Sequence, residues 1–314
     1  MTGQYRSDLP APLRRCVRCV MDDTVPGIRF DADGVCSYCH LHDRLDRAFP
    51  TGPEGRRILE RFADRMRRDG KNRPYDCVVG VSGGRDTSYC LHYVKRELGL
   101  RPLAVHFDNG WDSETAKTNL ARLCDALDVE LHTVIMDWPD SRELTNCTIR
   151  AGVPYIDVTD DIGIARSLYD AAVREGVRYI IMSHSFREEG VTPLLWNYID
   201  GRYVRALIRR YATQPIKTFR NVDLHHLIWW TLVKRIRVIN ITNYYDDTGE
   251  QVERLLERVL HAEIARDLGN GLRDQRQRAG AQFTDDLPRL PRVRRVRGLD
   301  AVLPVEHTAL RLLQ

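Results

Sequence analysis

A chain of 314 residues with 43% hydrophobic and 29% charged side chains has the balance of a globular protein of one large or two modest domains, which excludes a disordered or collagen-like chain. No run of about 18 apolar residues is available to span a membrane, and the opening MTGQYRSDLPAPLRR lacks the apolar core of a secretory signal. Eight cysteines are too few for a disulfide scaffold at this length, so the expected compartment is a reducing cytoplasm, and the net charge of +4 is modest.

The first 52 residues read as a small irregular module. Cys16-Val-Arg-Cys19 and Cys36-Ser-Tyr-Cys39 are two C-x2-C pairs with 16 residues between them. Each pair can present two thiolates to one ion on a tight turn, and two such turns give a tetrahedral S4 set, the pattern of structural Zn2+. An iron–sulfur cluster on the same four cysteines is the alternative. His40 and His42 follow the second pair and read as supporting or surface groups.

From residue 53 to 250 the pattern changes. EGRRILERFADRMRRDG has apolar residues at 58, 59, 62, 63 and 66, a helical spacing. YDCVVGV (75–81) is a short strand-like run, followed by a Ser-Gly-Gly turn and the helical DTSYCLHYVKREL. The alternation continues with a strand at 101–107, a helix at 113–127, a strand at 130–136 and a helix at 159–176. Strands at 177–183 and 235–242 complete the set. Strands alternating with helices of this length predict a parallel sheet covered on both faces, a doubly wound α/β fold. Cys77, Cys90 and Cys124 fall on faces predicted to be buried, where a cysteine acts as a small hydrophobe. Cys147 lies in LTNCTIRAG, read as a polar loop, and is a candidate for chemistry. HHLIWW (225–230) reads as core rather than as a binding platform. Residues 251–314 read as a helix and a basic tail. From residue 271 onward nine arginines face five acids with no lysine, so the whole excess charge lies there. Such a tail is a solvated surface or a contact for nucleic acid or an acidic partner.

The segment Ser82-Gly83-Gly84-Arg85-Asp86-Thr87-Ser88 joins the first strand of the sheet to its helix. It lacks the spacing and the lysine of the G-x4-G-K-[ST] loop. It is nevertheless suited to an anion: glycines let backbone N–H groups approach a phosphate, hydroxyls add donors, and a helix N-terminus adds partial positive charge. The alternative is an ordinary strand-to-helix turn.

This loop resembles the SGGxDS signature of the PP-loop ATP pyrophosphatases, which split ATP into AMP and pyrophosphate. VHFDNGWDSE fits the second strand end of that superfamily, which contacts the adenosine; here the positions are His106, Asp108 and Asn109, with Gly110 expected to allow close approach. The order of RRCVRCVMDDTVPGIRFDADGVCSYC, VSGGRDTSY, HFDNGWDSE, DDIGIARSLYDAAVREGVRYI, IKTF and VKRIRVI resembles the N-acetyl sugar amidotransferases, which install acetamidino groups on sugars. Thr87 stands where that family usually has Ser, Ile162 where it has His, and Ser183–Glu189 where it has a Gly/Asn-rich turn. The resemblance fades beyond about residue 262.

The resemblance implies ATP and Mg2+ as cofactors beside Zn2+. It implies that Ser82, Gly83, Gly84, Arg85, Thr87 and Ser88 cradle the phosphates, and that Asp86 orients the loop or holds Mg2+. Asp108 and Asn109 would meet the nucleoside, Lys217 of IKTF would neutralise the leaving pyrophosphate, and Asp161 and His184 would face the acceptor. For Lys217 a plain surface role, and for Asp161 and His184 a structural one, stays open. No segment resembles a glutaminase, so the resemblance implies a separate glutaminase subunit that delivers ammonia. Two rivals remain: a tRNA sulfurtransferase sharing the adenylation step, and a non-catalytic zinc-ribbon adaptor.

Overall fold

The computed structural model describes residues 13–193, 196, 198–245 and 249–260. The basic tail therefore lies outside the described residues. Five short strands form one sheet: β1 (Cys77–Gly80), β2 (Pro102–Asp108), β3 (Leu131–Ile135), β4 (Tyr179–Met182) and β5 (Arg237–Asn240). All neighbouring pairs are parallel and the order is β3-β2-β1-β4-β5. The chain winds outward from β1 in one direction, then crosses back to β4 on its other side, so the reversal point lies between β1 and β4. In open α/β sheets a crevice forms at such a point, beyond the carboxyl ends of the strands.

The helices are α1 (Ser37–Ala48), α2 (Gly52–Asp69), α3 (Arg85–His92), α4 (Glu114–Leu127), α5 (Trp138–Ala151), α6 (Val158–Glu175), α7 (Phe186–Glu189), α8 (Gly201–Tyr211), α9 (Leu224–Ile228) and α10 (Gly249–Leu260). The period-2 alternation of each strand divides the apolar residues between two layers. Cys77, Val79, Ala104, Tyr179 and Ile181 enter a core with α2, α3, α4 and α10. Val78, Leu103, Val105 and Ile180 enter a second core with α6, α8 and Trp230. Burial on both faces is why these strands read as apolar runs rather than as alternating ones. Cys77, Cys90 and Cys124 are buried, as their positions led one to expect.

Several segments differ from the sequence reading. The N-terminal module is not wholly irregular, because α1 starts directly after Cys36 and carries Cys39. The Cys36 sulfur accepts a hydrogen bond from the Cys39 N–H at 3.4 Å, and so caps the helix. LTNCTIRAG is not a loop. It belongs to α5, entered through Pro139 and ended by Gly152 at φ 63°. Thr145, Asn146 and Thr148 are weak helix formers, but Cys147 packs inward at 1% exposure and burial overrides propensity. HHLIWW is divided by its helical geometry: Trp230 is buried and stacks on Tyr169 at 4.4 Å, whereas Leu227, Ile228 and Trp229 remain partly exposed. Strand β3, at the sheet edge, is less covered than its apolar sequence suggests, with Ile135 72% exposed.

Gly163 sets the closeness of α6 to the sheet. A Cβ there would lie 2.4 Å from the Phe107 ring on β2. Gly163→Ala is therefore expected to destabilise the fold by about 1–3 kcal/mol through overpacking. Denaturant unfolding should show the lower midpoint, and adding Phe107→Leu should recover part of it.

Candidate active site

The carboxyl ends of β1 and β4 carry the two segments that shape the crevice. After β1, Val81 leads into Ser82-Gly83-Gly84 and the first turn of α3. Gly83 sits at φ 75°, and a Cβ on it would lie 2.4 Å from the Ala116 carbonyl of α4. Glycine is demanded there by backbone conformation and by packing, whatever the ligand. Gly84 is different: at φ −79° any residue is allowed, and a Cβ would meet only the Ser82 hydroxyl at 3.4 Å. Its bare backbone has no internal cause, which is what close approach of a ligand would explain. Gly84 is also the N-cap of α3 and supplies no capping side chain, so the helix opens at the crevice with no side-chain cap and with Asp86 in its first turn.

The remaining loop residues separate into those facing the crevice and those holding the loop. The Thr87 hydroxyl accepts from the Ser82 N–H at 3.2 Å and donates to the Gly84 carbonyl at 3.1 Å, so it staples the loop. Ser88 is 1% exposed, turned into the core. Asp86 lies at the surface of the crevice, 2.8 Å from the Arg85 guanidinium. Glu188 of α7 is near enough that Asp86 repels its charge; burial first, and that repulsion second, raise its carboxyl above the usual range. Arg85 acts on Glu188 in the opposite direction, and Asp86 and Glu188 are the carboxylates beside the loop that a bound Mg2+ would meet.

The turn after β2 is largely occupied with itself. Asp108 accepts from the Gly110 N–H at 2.9 Å and pairs with Lys117 at 3.2 Å. Asn109 accepts from the Trp111 N–H at 3.1 Å and also hydrogen-bonds Asp160. Gly110, at φ 84°, does admit a close neighbour, but that neighbour is the Trp138 ring, 2.8 Å from where a Cβ would stand. His106 does not reach the crevice surface. Its Nδ1 contacts the Val81 carbonyl at 3.0 Å and its Nε2 the Asp112 carboxylate at 3.2 Å. Burial is the largest single effect and works against its charge, but Asp112, the Val81 carbonyl and Asp108 together raise the imidazole above its ordinary value. The imidazole thus ties β1 to the turn after β2 beneath the loop.

Two expected acceptor residues are brought together. Asp161, in the first turn of α6, accepts from the Tyr155 hydroxyl at 2.5 Å. His184, after β4, pairs with Glu189 at 3.1 Å, and the charges of Asp161 and His184 act on one another. Burial raises Asp161 and pushes its neighbour Asp160 up to about 7. Tyr155 and Asp160 were not singled out from the sequence, the acidic N-terminus of α6 being their one visible signal, whereas Glu188 and Glu189 lie in the Ser183–Glu189 segment that departs from the amidotransferase pattern. Lys217 stands apart. Its exposed side chain follows a backbone N–H held by Asp140 at 2.7 Å, and no hydrogen bond or ion pair joins it to the loop among the described contacts.

The N-terminal module meets this crevice through α7. Arg187 donates to Asp46 of α1 at 2.8 Å and to the carbonyls of Phe49 and Asn243 at 2.7 Å. Phe186 packs against His42 and Phe49, with ring centroids 5.2 and 5.9 Å apart. Within the module the four sulfurs lie within 4.8 Å of one another, with Cys16 and Cys39 3.8 Å apart and Cys19 and Cys36 3.6 Å apart. These separations are too long for disulfides. A tetrahedron with metal–sulfur bonds of about 2.3 Å has edges of about 3.8 Å, so the set fits one Zn2+. Burial would raise the Cys16 thiol, but N–H donors from Arg18 and Cys36 bring it down to about 6, which suits a thiolate. Cys147, by contrast, is pushed up to about 11 by burial and is no ready nucleophile.

No family model matches the chain. It is 39% identical over 80 residues to a tRNA(Ile)-lysidine synthase from Nitratidesulfovibrio vulgaris, a match covering 22% of this chain and only 23% of that relative's length. Among solved structures it is similar to an NH3-dependent NAD synthetase from Campylobacter jejuni, at 16% identity and a TM-score of 0.34 over 74% of this chain and 97% of the other. It is also similar to a predicted subunit of a tRNA methyltransferase from Methanocaldococcus jannaschii, at 10% identity and a TM-score of 0.33 over 58% of this chain and 75% of that one. No helix among the described residues is long and apolar enough to cross a membrane.

Two outcomes are expected. Freshly purified protein should contain one zinc per chain by elemental analysis, and Cys16→Ser should lose the metal and lower the melting temperature; an iron–sulfur absorption band would refute this. Gly84→Val should keep a native melting temperature yet lose ATP-dependent pyrophosphate release by at least about a hundredfold, as loss of a phosphate cradle predicts. Gly83→Val should fail to fold stably, as judged by circular dichroism.

Proposed function

We propose that this chain is a PP-loop ATP pyrophosphatase that activates an amide carbonyl, the acetamido group of a sugar, by adenylation and then adds ammonia to give an amidine. The observation that carries this reading is the Ser82–Ser88 loop at the sheet's reversal point, with Gly84 bare toward the crevice at the N-terminus of α3. The order of sequence segments shared with the N-acetyl sugar amidotransferases supports the acceptor.

An amide carbonyl is a weak electrophile because nitrogen donates density into it. In the proposed reaction its oxygen attacks the α-phosphorus of ATP, breaking the α–β phosphoanhydride bond, and pyrophosphate departs. The resulting O-adenylyl imidate has AMP as a good leaving group. Ammonia adds to the carbon, the C–O bond breaks, and AMP leaves with that oxygen. This chain's residues position and stabilise rather than attack. Loop amides and the α3 N-terminus receive the phosphates, while Asp86 with Glu188 would hold Mg2+, which neutralises charge on the leaving pyrophosphate. Asp160 and Asp161, raised by burial, are suited to take the proton that ammonium must lose before it can act as a nucleophile. Ammonia would come from a docked glutaminase subunit, since free ammonia is lost to protonation and diffusion.

A tRNA base as acceptor is the second reading, favoured by the 80-residue match to a tRNA(Ile)-lysidine synthase. Its sulfur-transfer version is weakened by the burial of Cys147 in α5.

The test incubates the protein with ATP, Mg2+, ammonium and candidate acetamido sugars, free and nucleotide-linked. Mass spectrometry should find a product about one mass unit lighter, as exchange of oxygen for NH requires, with AMP formed in equal amount. Modified tRNA with unaltered sugars would overturn the sugar assignment in favour of the second reading.

A further inference from the structure

A second concavity, about 320 Å³ in volume, opens between the edge strand β3 and α6 and contains no residue of the Ser82–Ser88 loop. That is the lower range of small-molecule pockets. Phe107 and Val134 line it from the sheet, and Phe219 and Arg220 from the segment after α8. Its chemistry is dominated by three guanidiniums, Arg166, Arg174 and Arg220, against one lining carboxylate, Asp170.

The partners of these arginines leave cationic capacity over. Arg166 and Arg220 converge on the same oxygen, Asp170 Oδ2, at 2.8 and 2.9 Å. Arg174 pairs with Glu175 at 2.7 Å, outside the cleft lining, and its other arm meets His132 Nε2 at 3.0 Å. A guanidinium can only donate, so His132 accepts there and its imidazole is neutral. Two acids thus serve three guanidiniums, and Arg174 and Arg220 remain 50% and 64% exposed. Forked donors around a concave site with an aromatic wall suit a phosphate oxygen pair attached to a ring. A nucleic-acid backbone would be served by a stripe of charge along an open surface.

The cleft also has a fixed relation to the crevice. Phe107 immediately precedes Asp108. Ser167 in the cleft wall follows Asp161 on α6 by six residues, about 9 Å of helix. Thr218, of the IKTF segment, is fastened to α5 by Asp140 at 2.5 and 2.7 Å, which holds Phe219 and Arg220 at the rim.

We propose that this cleft binds the phosphate or diphosphate group of a small nucleotide or sugar phosphate through Arg166, Arg174 and Arg220. The anion site stands on the cleft alone; that its ligand is the acceptor, with its amide end toward Asp161, rests on the amidotransferase reading.

The test titrates UDP and inorganic pyrophosphate by calorimetry into the full chain carrying Gly84→Val, which closes the ATP loop. Both should still bind there. UDP affinity should fall at least tenfold on adding Arg220→Ala or Arg174→Glu, with the melting temperature unchanged because both side chains are largely exposed. Inorganic pyrophosphate binding with no gain for UDP would indicate a free-phosphate site rather than a nucleotide one. Binding that disappears with Gly84→Val alone, or that ignores both arginine changes, would overturn the cleft site. So would displacement of UDP only by tRNA. ATP–pyrophosphate turnover by the wild-type chain is read in parallel, so loss of the cleft site leaves the adenylation reading standing, and the converse holds as well.

Discussion

The crevice depends on a buried imidazole that adds a side-chain tie where the last backbone hydrogen bond between β1 and β2, from the Val81 N–H to the Val105 carbonyl at 3.0 Å, ends the pairing. His106, on β2, reaches the Val81 carbonyl with one ring nitrogen and the Asp112 carboxylate with the other. Val81 is the last residue before the Ser82–Ser88 loop, and Asp112 immediately precedes Ser113, which caps α4. The contact therefore fixes the loop's point of departure and the start of α4 together. The Gly83 backbone can then lie against the Ala116 carbonyl, where no Cβ fits. An ion pair at so buried a site is costly to break on one side only, so the three groups act as a unit.

From that anchor the two sides of the crevice differ in character. The β1 side is backbone and helix terminus, made for an anion. The β4 and α6 side is crowded with carboxyl groups: Asp160, Asp161, Glu188 and Glu189. Burial and mutual repulsion hold several of these above their ordinary range, which stores a demand for cations or protons at the place where a phosphate would bring negative charge. A cation between the two sides would reconcile them.

The cysteine module is joined to this chemistry through one short helix. Arg187 links α1, the chain after α1 and the segment after β5, while its neighbours Glu188 and Glu189 face the crevice. The module holds little apolar core of its own: Cys16, Val25 and Cys36 are its buried apolar residues among those described. A bound ion is what gives so small a unit rigidity. The position of α7, and with it the carboxylates at the mouth, would thereby draw on an ion held by the four cysteines in another part of the chain.

The sequence by itself determined the period and order of the elements, and hence the parallel doubly wound sheet, because residues buried on both faces must be apolar along the whole strand. It also determined the four-cysteine spacing and the glycine loop, since each is a local geometry written in consecutive residues. It did not reveal α5, where Cys147 is helical only because packing outweighs weak propensity. Nor did it show that His106, Thr87 and Ser88 serve the frame of the loop, or that Gly110 admits Trp138 rather than a ligand. Those roles turn on which partner stands opposite, and the Val81 carbonyl that meets His106 and the Trp138 ring that meets Gly110 come into place only when the chain folds. The nearness of Asp161 to His184, whose charges act on one another, and the gathering of Arg166, Arg174 and Arg220 at the β3 edge belong to the same class. Charge clusters assembled across elements carry no mark in a linear pattern, because the distance that couples them exists only in the folded chain.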